Sequence, residues 1–273
     1  METGAERLEA AAAAASADRL RRASSFGAAA AQYAQHRPGY AEAAIRWCLA
    51  PVSGAQPVRV VDLGAGTGIL TGALARLGAD VVAVEPDQAM LAELRRQLPG
   101  VRATEGSAEA LPLPDRSVDA VLCGQAMHWF DMDRALPEIA RVLTPGGMLA
   151  GLWNVDDDRV GWVAGLAAIS KSGTTLSRWR ATPEADTEQG ALRAGSSWFA
   201  PVEEREFGHG QRRSADSLVA AIATFSRMLV MDGAERARTL ATIRDFLHRQ
   251  PETSAGELTL PLVTVALRAV RRP

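Results

Sequence analysis

A chain of 273 residues with 47% hydrophobic side chains can bury a sizeable core, as one large α/β domain or one domain with an elaborated cap. Its formal net charge of −2 gives no electrostatic reason to expect nucleic acid or an anionic membrane as partner. The two cysteines, Cys48 and Cys123, lie in apolar runs; they make neither a disulfide framework nor a zinc site and read as buried thiols in a reducing compartment.

Residues 1–25 are alanine-rich with interspersed charges and lack the basic-then-apolar order of a secretory signal, so a frayed or disordered tail is expected. No run approaches the ~20 apolar residues of a membrane span, and the expected location is cytoplasmic. From Val58 to Trp153 strand and helix signals alternate, which predicts an α/β fold with a parallel sheet and helices on its faces. The β-branched run Val58 to Leu63 reads as the first strand. A helical pattern over Thr67 to Leu77 follows, ending at Gly78. Val81 to Val84 is a second buried strand, and Asp87 an N-cap for a helix over Gln88 to Leu98. Val101 to Thr104 and Val118 to Cys123 are the third and fourth strands. A helix over Asp131 to Leu143 leads through the turn Thr144-Pro145-Gly146-Gly147 to a fifth strand, Met148 to Trp153.

Beyond Trp153 the rhythm changes. A helix over Val160 to Ile169 precedes a polar, irregular stretch from Thr174 to Ser197. Val202 to His209 reads as a strand, Ser214 to Met231 and Ala234 to Arg249 as helices, and Glu257 to Val270 as a closing strand. No linker splits the chain, so 26–273 reads as a single domain. In it 40–155 is the core, 156–250 a substrate-cap region and 251–273 the closing strand.

The most informative segment is Val60-Val61-Asp62-Leu63-Gly64-Ala65-Gly66-Thr67-Gly68, a buried strand entering a glycine-rich turn that opens a helix. Glycine there permits a sharp turn and lets a ligand approach the main chain. Glu85 follows Gly64 by 21 residues at the end of the next strand, where an acid can accept hydrogen bonds from both hydroxyls of a ribose. A dinucleotide fits poorly, because the sixth fingerprint position, which packs helix on strand around a pyrophosphate, is Ile69. No Lys-Ser or Lys-Thr follows the glycines, so the phosphate-loop pattern is absent as well.

The segment Asp62 to Gly68 resembles motif I of the class I S-adenosylmethionine-dependent methyltransferases, and Val84-Glu85-Pro86-Asp87 with Met90 resembles motif II. Gly106-Ser107-Ala108-Glu109-Ala110-Leu111-Pro112 matches the adenine-side loop of the UbiE/type 11 group, and Arg141 to Gly147 resembles the same group's segment before strand five. The resemblance implies a Rossmann-like, seven-stranded, mostly parallel sheet with helices on both faces. A helical cap would come from the N-terminal segment and the region after strand five. It implies S-adenosyl-L-methionine as cofactor. Asp62, Gly64, Ala65 and Gly66 would form the cofactor loop, beneath its methionine part, and Glu85 would hold its ribose hydroxyls. Pro86, Met90, Ser107 and Ala108 would meet the adenine. Relatives often carry aspartate at position 107, so serine is a departure there. Met90 reads equally well as a helix core residue.

A second signature, Phe26-Gly27 to Tyr33 with Arg37-Pro38-Gly39-Tyr40, is similar to the leader of trans-aconitate methyltransferase and allied small-molecule enzymes. The resemblance implies that Tyr33 and Arg37 fold over the cofactor's methionine end, where a guanidinium matches a carboxylate. Gly124 to Phe130 resembles the same subgroup's Gln-Ala-x-His-Trp-Phe segment and places Gln125 beside the sulfonium. Trp129 and Phe130 would offer aromatic faces. Methyl transfer is an in-line displacement that asks mainly for alignment and exclusion of water. His128 is the general base a hydroxyl acceptor would need, and a carboxylate acceptor would need none. His36, His209 and His248 show no metal-ligand spacing and read as surface residues, and no metal is expected. The expected partner is a small-molecule methyl acceptor, methylated at oxygen. C-methylation of a quinone or polyketide-like precursor, and a noncatalytic cofactor-binding scaffold, are the alternatives.

Overall fold

The computed structural model describes residues 37–54, 57–171, 174–182, 188–193, 197–225, 228 and 230–273. The expected contacts of Phe26, Tyr33 and His36 lie outside the described residues. In chain order the elements of the first half are α1 (Glu42–Leu49), β1 (Arg59–Leu63), α2 (Ile69–Arg76), β2 (Asp80–Val84), α3 (Gln88–Gln97), β3 (Arg102–Thr104), β4 (Val118–Gly124) and α4 (Met132–Val142). Then come β5 (Leu143–Asp156), α5 (Gly161–Ser170), α6 (Leu176–Ala181), α7 (Glu188–Arg193), β6 (Glu203–Ser214), α8 (Ala215–Ala223), α9 (Gly233–Arg249) and β7 (Glu257–Val270).

Seven strands form one sheet in the order β3-β2-β1-β4-β5-β7-β6. Pairings from β3 through β5 are parallel, whereas β7 runs antiparallel to both β5 and β6. Alternate residues of the central strands feed two cores. Val61, Val121 and Leu149 pack with Ile139 and Ala140 of α4 on one face. Val60, Ala120 and Met148 pack with Ile45 and Cys48 of α1 and Leu70 and Leu74 of α2 on the other. Burial on both faces is why these strands read as continuous apolar runs. Both cysteines are buried free thiols, as their apolar surroundings predict. Burial pushes the Cys48 thiol up to about 12 despite the neighbouring Arg268 cation.

The segments between β5 and β7 build a third cluster. Trp162 and Leu166 of α5, Ile222 of α8, Ile243 of α9 and Leu258 and Leu260 of β7 enclose it. Among the described residues no helix is long and apolar enough to cross a membrane.

Several boundaries differ from the sequence reading. The helix expected from Thr67 begins at Ile69, because Gly68 is left-handed (φ 89°) and no helix starts through such a residue. The turn at 144–147 lies inside β5, as an irregularity between the pairs Val118–Leu143 and Ala120–Met148, and the strand continues past Trp153 to Asp156. The strand expected to end at His209 runs to Ser214, paired throughout with β7. The helix expected to reach Met231 stops at Ala223, with Ser214 as N-cap. The stretch from Thr174 to Ser197, read as irregular, contains α6 and α7, the former capped by Thr175.

His209 is not a surface residue. Its Nε2 lies 3.2 Å from Asn154 Oδ1 and 3.1 Å from Thr264 Oγ1, and burial lowers its pKa. Thr264 Oγ1 also donates to Asn154 Oδ1 at 2.7 Å and accepts from the Ala41 backbone N–H at 3.0 Å. Asn154 Nδ2 donates to the Gly39 carbonyl at 2.9 Å. This network ties the Arg37–Ala41 segment to the edge of β5 and β7, so a leader without regular structure is fixed by side chains of the sheet. His248 is exposed, as expected.

Candidate cofactor and acceptor site

Parallel strands present their ligand-binding edge at their carboxyl ends, where backbone groups are not consumed by the ladder. A cavity of about 1070 Å³ opens there. That volume is at the upper limit of the ~300–1,000 Å³ of ordinary small-molecule sites, so it has room for a cofactor and an acceptor together.

The turn after β1 forms its floor. Gly64, Gly66 and Gly68 all have positive φ. The Gly64 and Ala65 N–H groups donate to the Val84 carbonyl at 2.9 and 3.1 Å, which locks the turn to the end of β2. Glu85 completes that lock. One oxygen accepts the Gly66 N–H at 2.8 Å and the other the Asp87 N–H at 2.9 Å. Each carboxylate oxygen keeps acceptor capacity beyond that bond. Burial raises the Glu85 pKa, and the two backbone N–H groups partly offset the shift. Asp87 in turn caps α3 through the Ala89 and Met90 N–H groups, as its position in the sequence predicts.

Asp62, beneath the turn, is fully buried, and its Oδ2 accepts the Thr71 hydroxyl at 2.6 Å. Burial pushes its carboxyl up to about 7, against the lowering effect of Thr71. Its other oxygen and the Thr67 hydroxyl are buried without hydrogen-bond partners in the protein, and both residues line the cavity. Left so, such groups cost about 1–3 kcal/mol each. Carboxylates with spare acceptor capacity around a glycine floor suit a ligand that brings hydroxyl donors and a cationic centre. S-adenosylmethionine is such a ligand, and the residues present fit it.

The raised carboxyl of Asp62 has a consequence for stability. Its folded pKa (about 7) exceeds its ordinary value of 3.8, so the folded state holds a proton that the unfolded state releases. Its contribution to stability is complete below about pH 4 and is lost as pH rises through about 7. In the ligand-free protein, Asp62→Asn should therefore melt increasingly above the wild type as pH rises from about 4 to 8, by about 5 °C at the upper end. Thermal melts at several pH values check this, and a pH-independent difference contradicts it.

The remaining expected residues also line the cavity: Arg37, Pro86, Met90, Ser107, Ala108, Gln125 and His128. Met90 and Ala108 are buried as well, so packing and lining coexist at Met90. Gln125 is one of the few non-glycine residues with positive φ (52°), held there by its N–H to the Leu152 carbonyl at 2.8 Å. A strained backbone at a cavity wall is a common mark of a functional position. The Arg37 guanidinium lies over the Phe225 ring, 4.4 Å from its centroid.

The structure places further residues on the wall. Tyr40 projects its hydroxyl to the position a Cβ on Gly124 would occupy. Trp153 packs against Trp179 with ring centroids 5.3 Å apart and the planes tilted by 47°. Asp156 and Arg213 come from β5 and β6, and Leu260 and Leu262 from β7. The period of two along β6 and β7 is the sequence signal for Arg213, Leu260 and Leu262.

Comparison with known proteins accords with this geometry. A methyltransferase-domain family model matches residues 61–151, the stretch from β1 into β5. An uncharacterized methyltransferase of Mycobacterium tuberculosis is 41% identical over 247 residues, spanning 90% of this chain and 95% of its own. The malonyl-[acyl-carrier protein] O-methyltransferase of Methylococcus capsulatus is 44% identical over 103 residues, 36% of this chain and 38% of its own. Among solved structures, a protein designated a type II methyltransferase from Anaeromyxobacter dehalogenans superposes with a TM-score of 0.56. It is 27% identical and covers 86% of this chain and 96% of its own. With its glycine turn, strand-end acid and sheet order, the chain belongs to the class I S-adenosylmethionine-dependent methyltransferases of the type 11 group.

Proposed function

We propose that the enzyme methylates an oxygen of a small molecule, and that residues 156–250 supply the acceptor side of the site. The observation that carries this reading is the single cavity running from Glu85 and the glycine turn, past Gln125 and His128, to an apolar wall of Leu218, Ile222, Phe225 and Leu260. A nucleic acid or protein acceptor would ask for an open charged face instead. The local likeness to a malonyl-[acyl-carrier protein] O-methyltransferase adds support for oxygen.

When bound, S-adenosylmethionine supplies a methyl group already activated on a sulfonium. In this reading Glu85 holds the ribose hydroxyls, and Asp62, Gly64, Ala65 and Gly66 support the methionine part with Arg37 on its carboxylate. Tyr33 shares that role. Pro86, Met90, Ser107 and Ala108 enclose the adenine. Gln125 and His128 face the acceptor, with His128 taking the proton that a hydroxyl acceptor loses. Trp153 and Trp179 keep water from the reacting atoms, which matters because hydroxide and water compete for the methyl group.

The test is a screen of alcohols, phenols and carboxylic acids by release of S-adenosylhomocysteine, followed by His128→Gln on the acceptor found. General base catalysis contributes ~10²–10⁴-fold. The variant should therefore lose at least about 100-fold in kcat, lose the acid limb of the rate profile and keep its affinity for S-adenosylhomocysteine. An unchanged kcat and pH profile with a hydroxyl acceptor removes His128 from that role. Transfer to carbon or nitrogen only overturns the oxygen assignment.

A further inference from the structure

The acceptor side of the cavity ends in charge, although it is walled mainly by leucine and aromatic side chains. In antiparallel pairs, directly opposed residues share a sheet face. Asp156 lies opposite Leu262, and Arg213 opposite Leu258. Leu258, Leu260 and Leu262 alternate along β7, so Asp156 and Arg213 stand on the same face on either side of this leucine row. The β4 strand pairs with β5 as far as Leu152, and Asp156 lies four residues beyond. At 3.3 Å per residue that is on the order of 13 Å past the parallel edge. This end is therefore separate from the turn that carries Gln125 and His128.

Arg213 is only 8% exposed. Burying a guanidinium is costly unless anionic groups surround it. Asp156 is a nearby anion among the described residues, and each group senses the other's charge. Burial and Asp158 raise the Asp156 carboxyl to about 7, while Arg37 and Arg213 pull it down. Asp158 itself is not on the cavity wall and accepts the Ser177 N–H at 3.1 Å. Arg178 stands on this wall as well. Among the described residues, Arg37, Arg178, Arg213 and Asp156 line this wall.

We propose that the acceptor is an amphipathic organic anion, an apolar body with a carboxylate, and that Arg213 seats the carboxylate at the cap end of the cavity. A hydroxyl at the other end of such a molecule meets Gln125 and His128. This inference rests on the oxygen-transfer reading only for that last contact. A planar guanidinium that can bind a carboxylate with two parallel hydrogen bonds suits the purpose, and the leucine row matches an alkyl or aromatic body.

The test uses wild type, Arg213→Gln and Arg213→Lys, each saturated with S-adenosylhomocysteine. Binding of 4-hydroxycinnamate and 8-hydroxyoctanoate is measured by calorimetry against their primary amides, which are alike in shape and uncharged. The acids are expected to bind wild type about 10- to 100-fold more tightly than the amides. Arg213→Gln should erase that difference and Arg213→Lys should keep part of it. The affinity of each variant for S-adenosylhomocysteine reports an intact core. Equal binding of acid and amide to wild type overturns the proposal, as does an equal loss for both in Arg213→Gln or no binding of either acid. The oxygen assignment is read separately, from the methylated product. A methyl group recovered on carbon sinks that reading and leaves the anion seat standing.

Discussion

Glu85→Ala is expected to raise the dissociation constant for S-adenosylhomocysteine about 100-fold while leaving the melting temperature close to that of the wild type. The carboxylate already accepts two backbone N–H groups, and its remaining lone pairs are the acceptors available to a ribose at the end of β2. Hydrogen bonds to a charged group are worth about 1.5–3 kcal/mol each, so losing a pair corresponds to at least about two powers of ten. The small effect on folding follows from the opposite balance. Burial raises the pKa of Glu85, so at neutral pH the ionised side chain costs the folded protein free energy that alanine does not. The Gly66 and Asp87 N–H groups lose an acceptor but adjoin a cavity that water can enter. Glu85→Gln should bind nearly as poorly, because its NH₂ group cannot accept from one of those N–H groups. Calorimetric titration checks both variants. Wild-type affinity in Glu85→Ala would reduce Glu85 to a clamp on its own loop.

Gly64→Ala should lower the melting temperature by roughly 10 °C and abolish measurable cofactor binding. Two independent causes act at this position. Its φ of 69° is left-handed, which costs a residue with a Cβ about 1–2 kcal/mol. A Cβ there would also stand 2.6 Å from the Ala126 Cβ, with the Phe130 ring close behind at 3.6 Å. Ala126 has no flexible end that can swing away, so the backbone beside Gln125 must shift, and overpacking of this kind costs about 1–3 kcal/mol more. The displaced segment carries Gln125 and lines the same cavity as the glycine turn, so both walls are disturbed. The double variant Gly64→Ala with Ala126→Gly separates the causes. It removes the clash and keeps the backbone strain, so it should recover about half of the lost stability. Full recovery would show that the left-handed turn contributes nothing, and no recovery would place the whole effect in the strain.

Both residues were legible before any coordinates. Gly64 and Glu85 follow from a local rule: a β-branched run, a glycine turn and a second strand ending in an acid 21 residues later. The parallel core was legible for the same reason. Strands buried on both faces are continuous apolar runs of four to eight residues, and the helices between them carry their own caps, such as Asp87.

The far side of the site was decided elsewhere. Asp156, the first of three successive aspartates, lies beyond the strand expected to end at Trp153. It becomes a wall of the cavity only because β7 pairs with β5 as far as Leu262. Arg213 lies 57 residues further along and reaches the same wall only through the register of β6 on β7. His209 looked like a surface histidine until that register set it beside Asn154 and Thr264, which come from 55 residues away in either direction. Local sequence determines what each segment prefers, because turn geometry and burial pattern act over a few neighbours. Which side chains share the far end of the cavity is fixed by strand register across distant pairs, and that information exists only once the sheet has closed.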